Sequence, residues 1–148
     1  MIGLHQGCGL SPILFSIFVH NLPDFLSHEG VSLNQLAVKF LQFADDLALL
    51  ATSPSELQTA LDDLSNYCVT NGLIINTEKT KVLIFHKGRV TKSTFHIDGR
   101  EIEIVNSFTY LGFTFTPQLK FSQHLQNIFL TTLPPFIFIF ASPEYNGK

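Results

Sequence analysis

Two adjacent acidic residues, Asp45-Asp46, stand between two apolar segments, 36–43 and 47–51. At an effective dielectric of about 20, charges about 5 Å apart repel by ~3 kcal/mol, so folding alone gives no reason to pair them. The flanking runs favour a β-hairpin with the acids at its tip, although periodicity alone leaves a helix open. The pair is therefore either a solvated hairpin turn or a set of ligands for a divalent cation. Mg²⁺ suits the second interpretation because it prefers carboxylates together with substrate phosphates.

A helix start follows the second apolar run. Ser53 is the expected N-cap, Pro54 occupies the first helical position, and Glu56 completes a capping box. Gly72 ends the helix. One stripe of the helix is apolar and is expected to face a core: Leu57, Ala60, Leu61, Leu64, Tyr67 and Cys68.

An earlier helix is predicted where Ser11 can act as N-cap and Pro12 as the first helical residue. The run 13–19 that follows is apolar on nearly every side, so this helix is expected to be buried. The polar segment 27–35 is expected to be a loop.

Short extended segments follow the second helix. Strands are predicted at 73–75, 80–85 and 108–115, with a turn at 76–79 and a possible short helix at 121–130. Asp98-Gly99 predicts a two-residue hairpin turn in which Phe95 opposes Ile102. This order of elements indicates an α+β fold with an antiparallel sheet.

Composition restricts the function classes. Nine Lys and Arg residues against 12 Asp and Glu residues give a net charge of −3, which argues against a free-standing nucleic-acid binder. Cys8 and Cys68 do not make a disulfide framework and indicate reduced thiols in an intracellular protein. The six histidines lack zinc-site spacing. The apolar stretch 128–141 is too short and too broken by proline to cross a membrane, and the sequence assigns no function to it.

Four sequence blocks occur in a fixed order: Gln-Gly-Cys-Gly-Leu-Ser-Pro at 6–12, Phe-Ala-Asp-Asp at 43–46, Gly-Leu-Ile-Ile-Asn-Thr-Glu-Lys-Thr-Lys at 72–81, and Phe-Thr-Tyr-Leu-Gly at 108–112. Together they resemble the reverse transcriptase (RNA-directed DNA polymerase) domain of non-LTR, LINE-type retrotransposons. The resemblance covers about residues 1–125 and leaves 126–148 as an apolar tail of uncertain structure. It implies a partial polymerase palm, in which an antiparallel sheet with the catalytic-type hairpin packs on two helices. Gly9 departs from the family, which usually has Pro there.

The resemblance also implies roles for individual residues. Asp45 would be the principal ligand of Mg²⁺, for which Mn²⁺ can substitute, and Asp46 would assist. Lys79 would be a catalytic, positively charged residue near the triphosphate, where it would neutralise charge or donate a proton to pyrophosphate. The residues implied to line the nucleotide and template side are Gln6, Gly7, Phe43 and Ala44. Those implied to support the primer are Tyr110, Leu111 and Gly112.

The implied partners are an RNA template, a DNA primer and a deoxynucleoside triphosphate, all bound by the full domain, and no membrane. The family's palm supplies a further metal-binding Asp from a strand upstream of Gln6, and we expect it to be missing here, with the fingers. The isolated chain is therefore expected to have little polymerase activity and weak or no nucleic-acid binding. The alternative is a non-catalytic product of a decayed transposon, or a small interaction module that reuses the palm. A membrane-anchored peptide that uses the Phe-rich tail is a poorer third interpretation.

Overall fold

The computed structural model describes residues 11–86, 93–117, 137–141 and 143–145 of the chain. Its helices are α1 (Ser11–Phe18), α2 (Leu22–Phe25) and α3 (Pro54–Thr70). Its strands are β1 (Val31–Leu33), β2 (Leu36–Val38), β3 (Phe40–Phe43), β4 (Asp46–Ala51), β5 (Leu73–Ile75), β6 (Lys81–Ile84), β7 (Phe95–Ile97), β8 (Arg100–Ile102), β9 (Phe108–Tyr110), β10 (Phe113–Phe115), β11 (Ile137–Ala141) and β12 (Pro143–Tyr145). Helices together with antiparallel strand pairs confirm the α+β class.

A four-stranded antiparallel sheet in the order β3-β4-β11-β6 forms the centre of the fold. β3 and β4 are the hairpin predicted around the acidic pair, and Phe43 pairs with Asp46 as its last rung. β11 lies between β4 and β6, since Ile139 pairs with Leu49 on one side and with Val82 on the other. A strand from the apolar tail thus occupies the middle of the sheet.

Both faces of β4 are covered, because successive side chains of a strand point to opposite faces. Leu47, Leu49 and Ala51 belong to a first hydrophobic cluster, which α3 closes. Ala48 and Leu50 belong to a second cluster on the other face. The first cluster contains the whole predicted stripe of α3: Leu57, Ala60, Leu61, Leu64, Tyr67 and Cys68. Double coverage explains why 47–51 is a continuous apolar run rather than an alternating one.

The β9–β10 hairpin packs on the second cluster, where Phe108 and Tyr110 are partly buried. The segment before it is anchored on the open edge of β6. The Val82 amide donates to the Glu103 carbonyl (3.0 Å), and the Val105 amide donates to the Val82 carbonyl (2.9 Å). Lys81 forms an ion pair with Glu103 at 2.9 Å. These contacts hold the hairpin over the sheet face that carries Asp46.

Helix α3 begins as predicted, because Ser53 Oγ accepts a hydrogen bond from the Glu56 amide at 3.2 Å. The expected capping box is wrong in its second half. The Glu56 carboxylate accepts from the Thr52 amide (2.7 Å), the Thr52 hydroxyl (2.6 Å) and the Gly30 amide (2.7 Å). Burial raises the pKa of Glu56, but these hydrogen bonds outweigh burial and leave the pKa below its ordinary value. The carboxylate therefore ties the segment before β1 to the start of α3.

The Glu56→Gln substitution is expected to remove part of the acid-side pH dependence of stability. A carboxyl whose pKa is lowered by folding stabilises fully above its unfolded value of 4.5 and loses that contribution as the pH falls through the lower folded value. The measurement is the free energy of urea unfolding from about pH 7 to about pH 3. Glu78→Gln, in the exposed turn before β6, is the matched control. Equal pH profiles for the two variants would contradict the assignment.

The prediction that the first helix is buried is wrong. Ile13, Ile17 and Phe18 are 57%, 61% and 44% exposed. Only one side of α1 meets the core within the described residues, through Phe15, which packs against the first cluster. An apolar residue on every side of a helix therefore does not establish that every side is covered. No helix among the described residues is long and apolar enough to span a bilayer.

The prediction of a loop over 27–35 is also wrong, because β1 pairs with β2 around Asn34-Gln35. Both turn residues have positive φ, +46° and +72°. Such two-residue turns usually contain glycine, and Gln35 concealed this one in the sequence. The segment 108–115, predicted as one strand, is likewise a hairpin. The hairpin at Asp98-Gly99 is confirmed in its predicted register. The possible helix at 121–130 lies outside the described residues.

Candidate active site at the tip of the β3–β4 hairpin

The acidic pair lies at the tip of the β3–β4 hairpin. Ala44 and Asp45 form the two-residue turn between Phe43 and Asp46. Ala44 has φ of +53°, a left-handed conformation that costs a residue with a Cβ on the order of 1 kcal/mol. The Gln42 side-chain amide donates to the Ala44 carbonyl at 3.2 Å. Strand pairing and this hydrogen bond together hold the acids in a defined place at the end of the sheet.

The two carboxylates have different surroundings. Asp45 is exposed and borders a cleft on the side of the first cluster, next to Leu47. Asp46 is half-buried and, by strand alternation, lies on the sheet face of Ala48 and Leu50. One acid of the pair therefore meets solvent at the mouth of the cleft, and the other lies beside the second cluster.

The cleft beside Asp45 is small, with a volume of about 10 Å³. It is lined by Phe15, Val19, Leu22, Gln42, Ala44, Asp45, Leu47, Leu64, Tyr67, Cys68 and Leu73. Burial, and secondarily the negative charge of Asp98, raise the pKa of the Cys68 thiol to about 12, so this lining group stays protonated at neutral pH. Pockets for drug-sized ligands start at about 300 Å³. A substrate as large as a nucleotide would therefore have to lie outside the cleft.

Tyr110 joins the β9–β10 hairpin to the acidic pair. Its side chain is partly buried in the second cluster. Burial raises the pKa of Tyr110, and the negative charge of Asp46 raises it further. The phenol is therefore neutral at physiological pH and keeps its proton as a hydrogen-bond donor. The resemblance implies separate roles for Tyr110 and Asp46, which lie in separate sequence blocks, and folding brings the two close enough to interact.

The other predicted site residues do not all lie beside the acidic pair. Phe43 is 62% exposed beside the acids. Leu111 and Gly112 form the tip of the β9–β10 hairpin with φ of +49° and +82°. Lys79 is exposed on a different loop, the turn between β5 and β6, where its amide donates to Asn76 Oδ1 at 3.2 Å. The two predicted nucleotide-side residues before α1, Gln6 and Gly7, lie outside the described residues.

Across the part of the chain that the structure describes, no group of three or more His, Cys, Asp or Glu side chains is placed to hold a metal ion. The two strands that pair with β4 contribute no metal-binding side chain, because the sequence of β3 is Phe-Leu-Gln-Phe and that of β11 is Ile-Phe-Ile-Phe-Ala. Two adjacent carboxylates nevertheless suit Mg²⁺, which takes one or two carboxylates and completes its shell with phosphate oxygens and water. The described residues thus fit part of a magnesium site rather than a closed cage.

Comparison with known proteins connects this hairpin to a family. Residues 2–115 match the family model described as "Reverse transcriptase (RNA-dependent DNA polymerase)". A Pol polyprotein from the retrotransposable element R2 of Popillia japonica is 36% identical over 125 residues, which are 77% of this chain and 21% of that protein. An RNA-directed DNA polymerase from the mobile element jockey of Drosophila melanogaster is 31% identical over 133 residues, which are 85% of this chain and 14% of that protein.

This chain spans about a fifth of the first relative and a seventh of the second. No solved structure matches it significantly. The family match includes the hairpin tip, α3 and the β9–β10 hairpin, which are the elements that build the candidate site. The resemblance that the four sequence blocks indicated is confirmed, and the chain belongs to the reverse transcriptase family of LINE-type retrotransposons.

Proposed function

We propose that this chain supplies the metal-binding turn of an RNA-directed DNA polymerase from a non-LTR retrotransposon. The observation that carries the proposal is the Asp45-Asp46 pair, held at the tip of a hairpin inside the family match. A divalent cation at the end of this turn would attract both carboxylates, since Mg²⁺ takes one or two carboxylates and completes its shell with phosphate oxygens and water. The β3-β4-β11-β6 sheet with α3 behind it would then correspond to part of the polymerase palm.

In this proposal Asp45 is the principal ligand of Mg²⁺, or of Mn²⁺ in its place, and Asp46 assists. A cation held there would supply activation of an attacking primer hydroxyl and stabilisation of the charge on the phosphates. Tyr110, neutral and close to Asp46, keeps that carboxylate on the second-cluster face and supports the primer with Leu111 and Gly112. Support comes from the packing of the β9–β10 hairpin on the sheet face that carries Ala48, Leu50 and Asp46.

The remaining residues act around this centre in the same proposal. Phe43 offers an exposed ring beside the acids for a base or sugar, and Ala44 shapes the turn. Gln6 and Gly7 line the nucleotide side, and Lys79 neutralises charge on the triphosphate. The substrates of the longer polypeptide are an RNA template, a DNA primer and deoxynucleoside triphosphates. The net charge of −3 fits weak nucleic-acid binding by this chain alone.

A metal titration tests the proposed centre. Mn²⁺ binding to the full chain is followed by electron paramagnetic resonance, with and without a deoxynucleoside triphosphate. We expect one weak site that tightens with nucleotide, because phosphate oxygens complete the shell. Asp45→Asn is expected to weaken it by about tenfold or more, ~1.4 kcal/mol or more of binding free energy.

Asp62→Asn is the matched control, since Asp62 is an exposed carboxylate on α3. It is expected to leave Mn²⁺ binding unchanged. Binding that is insensitive to Asp45→Asn, or that responds equally to both substitutions, would exclude the hairpin tip as the metal centre.

A further inference from the structure

The central strand of the sheet comes from outside the part of the chain that matches the family. β3, β4 and β6 all lie within residues 2–115, whereas β11 begins at Ile137. Neighbouring strands are about 4.8 Å apart, so β4 and β6, on either side of β11, are about 10 Å apart and too distant to pair with each other. The family-matched part thus contains a gap one strand wide, and the tail fills it.

The two walls of this gap are apolar, and β11 covers them. With β11 in place, the residues of β4 from Leu47 to Ala51 are at most 4% exposed, and Val82 and Leu83 of β6 are wholly buried. β11 pairs antiparallel with both walls through its backbone. Ile139, also wholly buried, joins the first cluster. Backbone pairing is largely independent of sequence, so the gap selects an extended chain with an aliphatic residue at this position.

We propose that β11 is an exchangeable strand and that the gap between β4 and β6, here called the strand slot, accepts an extended apolar peptide segment from another polypeptide. The tail is the built-in occupant and competes with a segment in trans. Its advantage is its covalent attachment, which gives it a high effective concentration at the slot. Weakening the tail therefore opens the slot, and fixing the tail closes it.

The slot borders the acidic pair. Ala141 of β11 pairs with Leu47, the residue directly after Asp46. The strand that occupies the slot therefore lies next to the half-buried carboxylate of Asp46. An effect of strand exchange on metal binding rests on the proposed function, whereas strand exchange itself does not. A failure of peptide binding can therefore be distinguished from a failure of the Mn²⁺ titration.

The test uses the full chain and a fluorescent peptide with the sequence of residues 136–141, flanked by lysines for solubility. Binding is measured by anisotropy. Unmodified chain is expected to bind weakly. Ile139→Asp, which makes the tail a poor occupant, is expected to bind at least tenfold more tightly, because the slot is then free. The same peptide carrying I139D is the matched control and is expected not to bind.

A disulfide lock gives the opposite change. Ala51 and Ile137 are register partners, so Ala51→Cys with Ile137→Cys, in a Cys8→Ser and Cys68→Ala background, can join the tail to β4. The oxidised form is expected to lose peptide binding at least tenfold relative to the reduced form.

Equal binding by the oxidised and reduced forms would overturn the proposal, because the peptide would then bind elsewhere. Absence of binding by Ile139→Asp would also overturn it. If Ile139→Asp unfolds, the peptide is expected to restore its circular dichroism spectrum, and failure to do so would show that the slot cannot be refilled in trans.

Discussion

Replacing Gly30 by alanine is expected to lower the free energy of unfolding by about 3 kcal/mol or more. Gly30 has φ of +79°, and an added Cβ would lie 2.4 Å from the Val38 carbonyl oxygen and 2.8 Å from Lys39 Cα. Both contacts are backbone atoms at the end of β2, so relief requires a shift of the β1–β2 hairpin. A shift would also strain the hydrogen bond from the Gly30 amide to Glu56.

Gly99→Ala separates the cost of the positive φ from the cost of the close backbone contacts. Gly99 has φ of +75°, nearly the same backbone conformation, but an added Cβ there would meet nothing within 4 Å. This control is therefore expected to cost only about 1 kcal/mol, the conformational part. Urea unfolding of both variants gives the two free energies. Equal losses would show that the close approach at Gly30 does not carry the effect.

The predictable parts of this fold are those that depend on neighbouring residues. The cap at Ser53, the apolar stripe of α3 and the stop at Gly72 are all local signals, and all three are confirmed. The turn at Asn34-Gln35 is also local, but its sequence does not predict it, because glutamine rarely takes positive φ. Local patterns thus give the elements wherever residue chemistry and backbone conformation agree.

The candidate site likewise contains one part that local sequence predicts and another that depends on tertiary packing. The hairpin tip at Asp45 follows from two apolar runs around a short acidic centre. The closeness of Tyr110 to Asp46 depends on how the β9–β10 hairpin packs, which no local pattern encodes. The position of β11 is non-local too. Its continuous apolar run is typical of a strand buried on both faces, and that pattern predicts a strand without naming its partners.

Replacing Tyr67 by alanine is expected to lower the free energy of unfolding by about 3–5 kcal/mol, as for other large aromatic side chains removed from a core. Tyr67 is 1% exposed and lines the cleft beside Asp45. Its ring meets Phe25 edge-on, with the centroids 5.1 Å apart and an interplanar angle of 76°. Its hydroxyl donates to Asn21 Oδ1 at 2.8 Å. The loss therefore combines a cavity, an aromatic pair and a hydrogen bond.

Tyr67→Phe isolates the hydroxyl and is expected to cost about 1 kcal/mol, because it removes the hydrogen bond and keeps the ring. The two free energies come from urea unfolding of the variants at one pH. The Phe variant is also expected to leave Mn²⁺ binding unchanged, since the cleft is apolar and the carboxylates lie at its rim and beyond it. Equal losses of unfolding free energy in Tyr67→Phe and Tyr67→Ala would contradict this assignment. They would show that the hydrogen bond to Asn21, rather than the packing of the ring, carries the contribution of Tyr67.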